Sequence, residues 1–365
     1  MSNWTDTEIT KRLGIPYPII QGPFGRGGSS ALLAATVSNA GGLGSYGAND
    51  QAPSDILRIA AEIRKLTDKP FGMNLWVSTF DPGGESLTPE THERVTKLLE
   101  PYYKELKLEI PPVPNSKPQN FDDQVAALIE ARPAVFSFVF GIPSSEILRS
   151  CREKGILTVG AATTVDEAIA CEQAGVDCIV ASGFEAGGHR PSFLRRAEES
   201  LIGTFALVPQ VADSVKIPVI VAGGIADGRG LVAALTLGAD AVQIGTAFLA
   251  CEESGASNLH RKLLFREESK STVLSRAFTG RMARGIDNRF ASEMRVHEPL
   301  FAKYPAHSWI IAPLRAAALA QGRHDLISLW AGQAAPLCRH HKAGELFTTL
   351  VKETDLLFEG RSPQA

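Results

Sequence analysis

The chain has 365 residues, of which 44% are hydrophobic and 21% charged, and a formal net charge of -3. This is an ordinary globular composition, which excludes a collagenous, disordered or membrane-spanning chain. With a pI near 6.3 there is no broad positive field, so no nucleic acid and no anionic membrane is expected as principal partner, and a small-molecule ligand is favoured.

The length exceeds that of an average domain but suits one (β/α)8 barrel carrying insertions. The five cysteines, Cys151, Cys171, Cys178, Cys251 and Cys338, are odd in number and form no C-x-x-C pair. Reduced thiols are expected, not a disulfide framework or a zinc knuckle. The N-terminal MSNWTDTEITKRLG lacks the apolar segment of a secretory signal, so a cytoplasmic location is the expectation.

In chain order, eight short β-rich runs end in glycine or other small residues: PIIQGPF (18–24), LGSYGA (43–48), PFGMNLWV (70–77), VFSFVFG (135–141), LTVGAAT (157–163), CIVASG (178–183), PVIVAGG (218–224) and AVQIGTAF (241–248). Between them SDILRIAAEIRKL, SEILRSCREKG, VDEAIACEQAG and GRGLVAALTLG carry helical periodicity, with Gly155, Gly175 and Gly238 positioned to end helices. Continuously apolar strands imply burial on both faces, and alternating β and α units imply right-handed parallel crossovers. Eight units predict an α/β fold, the closed (β/α)8 TIM barrel, with an open doubly wound sheet as the alternative.

Two segments break the period. Residues 81–120 hold DPGGESLTPE, a charged helix near 90–107 and IPPVPNSKP, which read as an insertion between the third and fourth strands, positioned to lid a site. After the eighth strand, SNLHRKLLFREES, HSWIIAPLRAAALAQG and AGELFTTLVKE are too many for one barrel helix. The expected division is a barrel domain over 1–250 and a helical C-terminal extension over 251–365 packed on it.

Chemistry in such barrels sits at the C-terminal ends of the strands, and phosphate is often held after the seventh and eighth. The seventh strand ends in Ala222-Gly223-Gly224-Ile225 and the eighth runs through Gln243-Ile244-Gly245-Thr246. Unobstructed backbone amides and one hydroxyl at these corners predict a phosphorylated ligand or cofactor, although either corner alone reads equally as a tight turn. The sixth strand leads into VASGFEAGGHR (180–190), which carries the imidazole of His189 to the barrel mouth beside small glycines. His189 is therefore the candidate catalytic residue, against the alternative of a histidine hydrogen-bonded within its loop.

Asn74 is a polar amide inside an apolar strand. Its donor and acceptor suit the edge of a heterocycle, or else it is a satisfied core asparagine. Gly22-Pro23-Phe24, ending the first strand, allow backbone to lie beside a flat ring. The remaining histidines lack ligand spacing, and no metal is assigned. A literal G-x-G-x-x-G at 42–47 follows a helix and overlaps a strand, the reverse of a dinucleotide fingerprint, and there is no Walker A sequence.

Taken in order and spacing, PIIQGPF, FGMNLWV, SGFEAGGHR, VAGGIADGRG and QIGTAF resemble the nitronate monooxygenase family, once called 2-nitropropane dioxygenases, over most of residues 13–290. The resemblance implies an FMN-dependent oxidoreductase on a TIM-barrel domain. It would oxidise alkyl nitronates with O2 to a carbonyl compound and nitrite, without turnover of reduced nicotinamide. His189 is then the catalytic histidine. The implied flavin-binding set is Gly22, Pro23, Phe24, Asn74, Ser182, Gly187, Gly188, Gly223, Gly224, Gln243, Ile244, Gly245 and Thr246.

Phe24, Ser182 and Pro191 depart from the methionine, glutamine and glycine of many relatives, Phe24 on the expected substrate side and Ser182 on the flavin side. TGRMARG (279–285) also resembles a family feature and has no role assigned. The nearest rival is an FMN enzyme of the same barrel type that uses NAD(P)H to reduce quinones or enoyl thioesters. A barrel resembling IMP dehydrogenase would need a cysteine in a glycine-rich loop, which none of the five provides, and a non-enzymatic flavin-binding protein is a third reading. A homodimer is compatible with the sequence.

Overall fold

A computed structural model describes residues 4–77 and 87–361, and each of the eight β-rich runs forms a strand in it. The strands are β1 (Ile19–Gln21), β2 (Gly44–Gly47), β3 (Phe71–Trp76), β4 (Val135–Val139), β5 (Leu157–Ala162), β6 (Cys178–Ser182), β7 (Gly188–His189), β8 (Val219–Ala222), β9 (Ala241–Ile244), β10 (Thr272–Ser275) and β11 (Ala283–Ile286). All except β7, β10 and β11 belong to one sheet of order β1-β9-β8-β6-β5-β4-β3-β2. Its neighbours are parallel, and a bridge between Ile20 and Leu43 joins its two edges, closing a (β/α)8 barrel.

Alternation along each strand sorts the side chains into two layers. Val135, Val159, Cys178, Val180, Ile220 and Ala241 point into the barrel, joined by Ile9 and Ile15 of the N-terminal segment. Phe136, Ile179, Val221, Val242 and Ile244 point outward to the surrounding helices. Each such fully buried aliphatic or aromatic side chain contributes on the order of 2 kcal/mol of transfer free energy.

The G-x-G-x-x-G stretch is explained by packing. Helix Ala31–Asn39 lies directly on β2, so a Cβ on Gly44 would fall 1.8 Å from the Ala34 carbonyl oxygen, and one on Gly42 would fall 2.4 Å from that of Ile19. Nothing larger than glycine fits.

Helix Pro89–Glu105 of the insertion packs with helix Ala306–Ala320 of the C-terminal region in a second hydrophobic core that includes Leu99, Tyr103, Phe290, Ile310 and Leu314. It is a buttress of the extension, and no residue of 87–120 lines the main cavity. The glycine-rich start of the expected lid, 81–86, lies outside the described residues.

The helical C-terminal extension has two features beyond that expectation. β10 and β11 pair antiparallel, and β11 also pairs with β7, so the extension shares a small sheet with the His189 loop. The final helix, Ala343–Phe358, packs against helices Gly228–Thr236 and Ala31–Asn39. It fills the outer-ring position that follows β9, and the segment between β9 and this helix is in effect inserted within the last βα unit.

Candidate active site

The C-terminal ends of the barrel strands open into a cavity of about 570 Å³, within the usual range for small-molecule sites. Inward-pointing Asn74 and Trp76 of β3, Val180 and Ser182 of β6, Ala222 of β8 and Gln243 of β9 form its floor and wall. The C-terminal region closes the other side with Arg315, Leu319, Trp330 and Gly332.

Of the residues expected to bind cofactor, Gly22, Pro23, Phe24, Asn74, Ser182, Gly187, Gly188, Gly223, Gly224, Gln243, Gly245 and Thr246 line this one cavity, as does His189. Ile244 does not. It follows inward-facing Gln243, so the two-residue period turns its side chain outward into the packed layer beneath the helices. Its carbonyl instead accepts from Gly22 N–H at 2.9 Å, tying the first and last barrel strands together.

The two glycine corners face the cavity with unused donors. Gly223 and Gly224 have φ of +110° and +75°, a region costly for any residue with a Cβ. The N–H groups of Gly223, Gly224 and Gly245 find no acceptor among the described residues. Thr246 Oγ1 accepts from Gly332 N–H at 2.9 Å, which leaves its hydroxyl proton available. Gly187 has a different reason to be small: a Cβ there would lie 2.5 Å from the Gly332 nitrogen.

His189 sits on β7, clamped to Ala283 of β11. Its ring is edge-on to Trp76 at 5.0 Å and tilted against Trp330 at 5.4 Å. Nε2 lies 3.0 Å from Thr279 Oγ1. The Thr279 hydroxyl donates to the Arg281 carbonyl at 3.0 Å and accepts from Arg281 N–H at 3.2 Å, so it receives the Nε2 proton and Nδ1 keeps its lone pair. Burial pushes the imidazole pKa down to about 3, with the charges of Arg26 and Arg315 adding to the effect. His189 is therefore a neutral base at physiological pH.

The rest of the EAGGHR element is scaffold. Arg190 is buried and donates to the carbonyls of Ser182 at 2.6 Å and Ser200 at 2.5 Å, holding the loop after β6 to that strand. Glu185 accepts from Thr204 N–H at 2.9 Å and from its hydroxyl at 2.9 Å, anchoring the next helix. Asn74 donates from Nδ2 to Ser137 Oγ at 3.0 Å, and its Oδ1 accepts no hydrogen bond among the described residues.

Thr279, Arg26, Trp330 and Arg315 were not singled out by sequence. TGRMARG gave the one available signal: Thr279 meets His189, and Arg284 donates to the Phe184 carbonyl at 2.9 Å. The Arg281 guanidinium lies 3.5 Å from the Phe140 ring centroid. The segment therefore braces the His189 loop. No cysteine lines the cavity.

A family model described as nitronate monooxygenase matches residues 6–353. A probable nitronate monooxygenase of Staphylococcus haemolyticus is 41% identical over 356 residues, covering 97% of this chain and 98% of that protein. Among solved structures, the nitroalkane oxidase of Streptomyces ansochromogenes superposes with a TM-score of 0.87 at 36% identity, covering 95% of this chain and 98% of its own. FabK from Thermotoga maritima follows at 0.75 and 31%, covering 97% of each chain. With matches that run from the N-terminal helix to the one completing the barrel ring, the chain belongs to the nitronate monooxygenase family of oxidoreductases.

Proposed function

We propose that this protein is an FMN-dependent nitronate monooxygenase that oxidises alkyl nitronates with O2 to carbonyl compounds and nitrite. The observation that carries the reading is the convergence, on one cavity, of two glycine corners with free N–H groups, the Asn74 amide and a neutral histidine among aromatic rings.

The residues present fit FMN. Gly223, Gly224, Gly245 and Thr246 would hold its phosphate, because they offer N–H donors and one hydroxyl where a side chain would intrude. Asn74 and Gln243 offer amides to the polar edge of the ring system, and the Gly22-Pro23-Phe24 backbone borders it. When bound, FMN supplies the electron-accepting and oxygen-reactive chemistry.

The protein's own work is orientation and proton handling. His189 Nδ1 accepts the proton from the carbon bearing the nitro group when the substrate arrives as a neutral nitroalkane. A substrate arriving as the nitronate needs no base, and its negative charge raises the affinity of the imidazole for a proton, so the same ring becomes its hydrogen-bond donor. Thr279 keeps Nε2 protonated and fixes the ring plane in either case. Trp76 and Trp330 exclude water from the reacting carbon.

The test is the absorption spectrum of the purified protein, followed by anaerobic mixing. Yellow material that releases FMN and is bleached by ethyl nitronate but not by NADH supports the reading. Rapid bleaching by NADH favours the NAD(P)H-dependent reductase of the same barrel type, and colourless protein that cannot be loaded with FMN overturns both.

A further inference from the structure

The aromatic wall beside His189 is held from behind by a cation. Trp76 and Phe140 both line the cavity, with ring centroids 5.0 Å apart, and both meet the His189 ring edge-on, at 5.0 and 6.4 Å. The Arg281 guanidinium lies 3.5 Å from the Phe140 centroid, 4.6 Å from that of Tyr304 and 5.6 Å from that of Trp76. Tyr304 completes this cage, 5.4 Å from Trp76 and 6.2 Å from His189. Neither Arg281 nor Tyr304 lines the cavity, so the cation stands behind the wall and not in the site. A cation over a ring face is attracted by the ring quadrupole, the more so away from water. Burial lowers the Arg281 pKa only to about 10, so the charge is present at neutral pH.

Two further observations tie Arg281 to the histidine. Phe140 reaches the cation from a strained turn directly after β4, at φ +65°, a region unfavourable for a residue with a Cβ. The Arg281 main chain meets His189 by a separate route, because its carbonyl accepts from the Thr279 hydroxyl at 3.0 Å and its N–H donates to the same oxygen at 3.2 Å. Thr279 in turn faces Nε2 of His189. One residue thus governs both the hydrogen bond on one ring nitrogen and the wall against which the ring packs.

We propose that Arg281 is a positioning residue for proton abstraction: its caged guanidinium holds the Trp76–Phe140 wall, and that wall aims Nδ1 of His189 at the carbon bearing the nitro group. This rests on the nitronate reading above. A neutral nitroalkane must lose a proton, in a step where the C–H bond breaks, the proton passes to Nδ1 and the electron pair moves into the nitro group. Such a transfer tolerates little error in the angle of the ring. A substrate that arrives already as the nitronate makes only a hydrogen bond to that ring, and a hydrogen bond bends readily. The cage therefore matters to the first substrate and little to the second.

The flavin-loaded full chain is assayed with nitroethane and with ethyl nitronate, one carbon skeleton in two protonation states. Arg281→Met keeps the main-chain contacts to Thr279 and removes the cation. Its kcat/KM for nitroethane falls roughly 30-fold, and the ratio of the nitroethane value to the ethyl nitronate value falls about tenfold. Deuterium on the nitro-bearing carbon slows the variant more than the unaltered protein. Arg281→Lys, whose ammonium also binds a ring face, recovers part of the loss. Equal losses on the two compounds, or none, overturn the proposal. Should Arg281→Met not load flavin, Tyr304→Leu, which removes one face of the cage and leaves the arginine, carries the same comparison with the same expected direction. A reading free of turnover comes from imidazole proton NMR. The ring signal that disappears in His189→Asn should move in Arg281→Met, because Trp76 lies against that ring, while the signal of His341, packed on Phe265, should stay. An unmoved His189 signal overturns the proposal. If the unaltered protein turns over neither compound, the nitronate reading fails, and the His189 signal alone decides whether Arg281 holds the ring.

Discussion

His189 Nε2 and Thr279 Oγ1 lie 3.0 Å apart although 90 positions separate them in the chain. The contact exists because β11 adds the TGRMARG segment to the edge of the loop that follows β6. Replacing Thr279 with valine keeps the shape and removes the acceptor. A roughly tenfold loss of kcat is expected, equivalent to about 1.4 kcal/mol for one neutral hydrogen bond, with serine restoring most of it. Steady-state kinetics over pH check this, because a ring freed from its tautomer-fixing partner also shifts the acidic limb of the profile.

Substituting His189 by asparagine removes the base but preserves a polar side chain of similar reach. Turnover should fall on the order of 100-fold or more while FMN stays bound. Nitrite release measured beside the flavin spectrum separates the two effects, and undiminished release would remove the catalytic role.

Gly224 has φ +75°, lines the cavity and has an N–H without an acceptor among the described residues. Gly224→Ala forces a Cβ into the left-handed region at a cost of roughly 1–2 kcal/mol. FMN affinity should weaken about tenfold, read by ultrafiltration and flavin fluorescence, with little loss of secondary structure by circular dichroism.

Two buried histidines make the fold acid-sensitive. His260 Nε2 donates to the Trp330 carbonyl at 3.0 Å and His307 Nε2 to the Ala277 carbonyl at 2.9 Å, and burial lowers both pKa values from 6.5 to about 4. The unfolded chain therefore takes up these protons below pH 6.5, whereas the native state resists until about 4. Stability is full above 6.5 and falls as pH drops toward 4, by about 1.4 kcal/mol per pH unit for each histidine. Urea midpoints at several pH values test this, and His307→Gln should flatten the dependence.

The barrel was legible because its signal is repetitive: continuous apolar strands, amphipathic helices and glycine turns recur in register with the chain. The glycine corners at Gly223 and Gly245 and the loop histidine could be read for the same reason, since the fold fixes which strand ends converge. Ile244 shows the limit of that reading, for a motif names a run of residues while the pleat admits only alternate side chains to the cavity. Thr279, Arg26 and Arg315 were opaque. The first and last reach the site through pairing and packing of distant segments, and Arg26 hides in a glycine-rich loop where nothing local distinguishes it. The role of Ala343–Phe358 as the last barrel helix was equally hidden, because an amphipathic pattern does not say which groove it fills.

Helix Ala343–Phe358 also decides when one flank of the barrel is covered. Trp4 Nε1 donates to Asp355 Oδ1 at 2.7 Å, so the segment before the first strand is pinned to that helix on the same flank. Helix Ala343–Phe358 follows β9 by about a hundred residues, so until it docks, the apolar flank it covers stays open to other contacts.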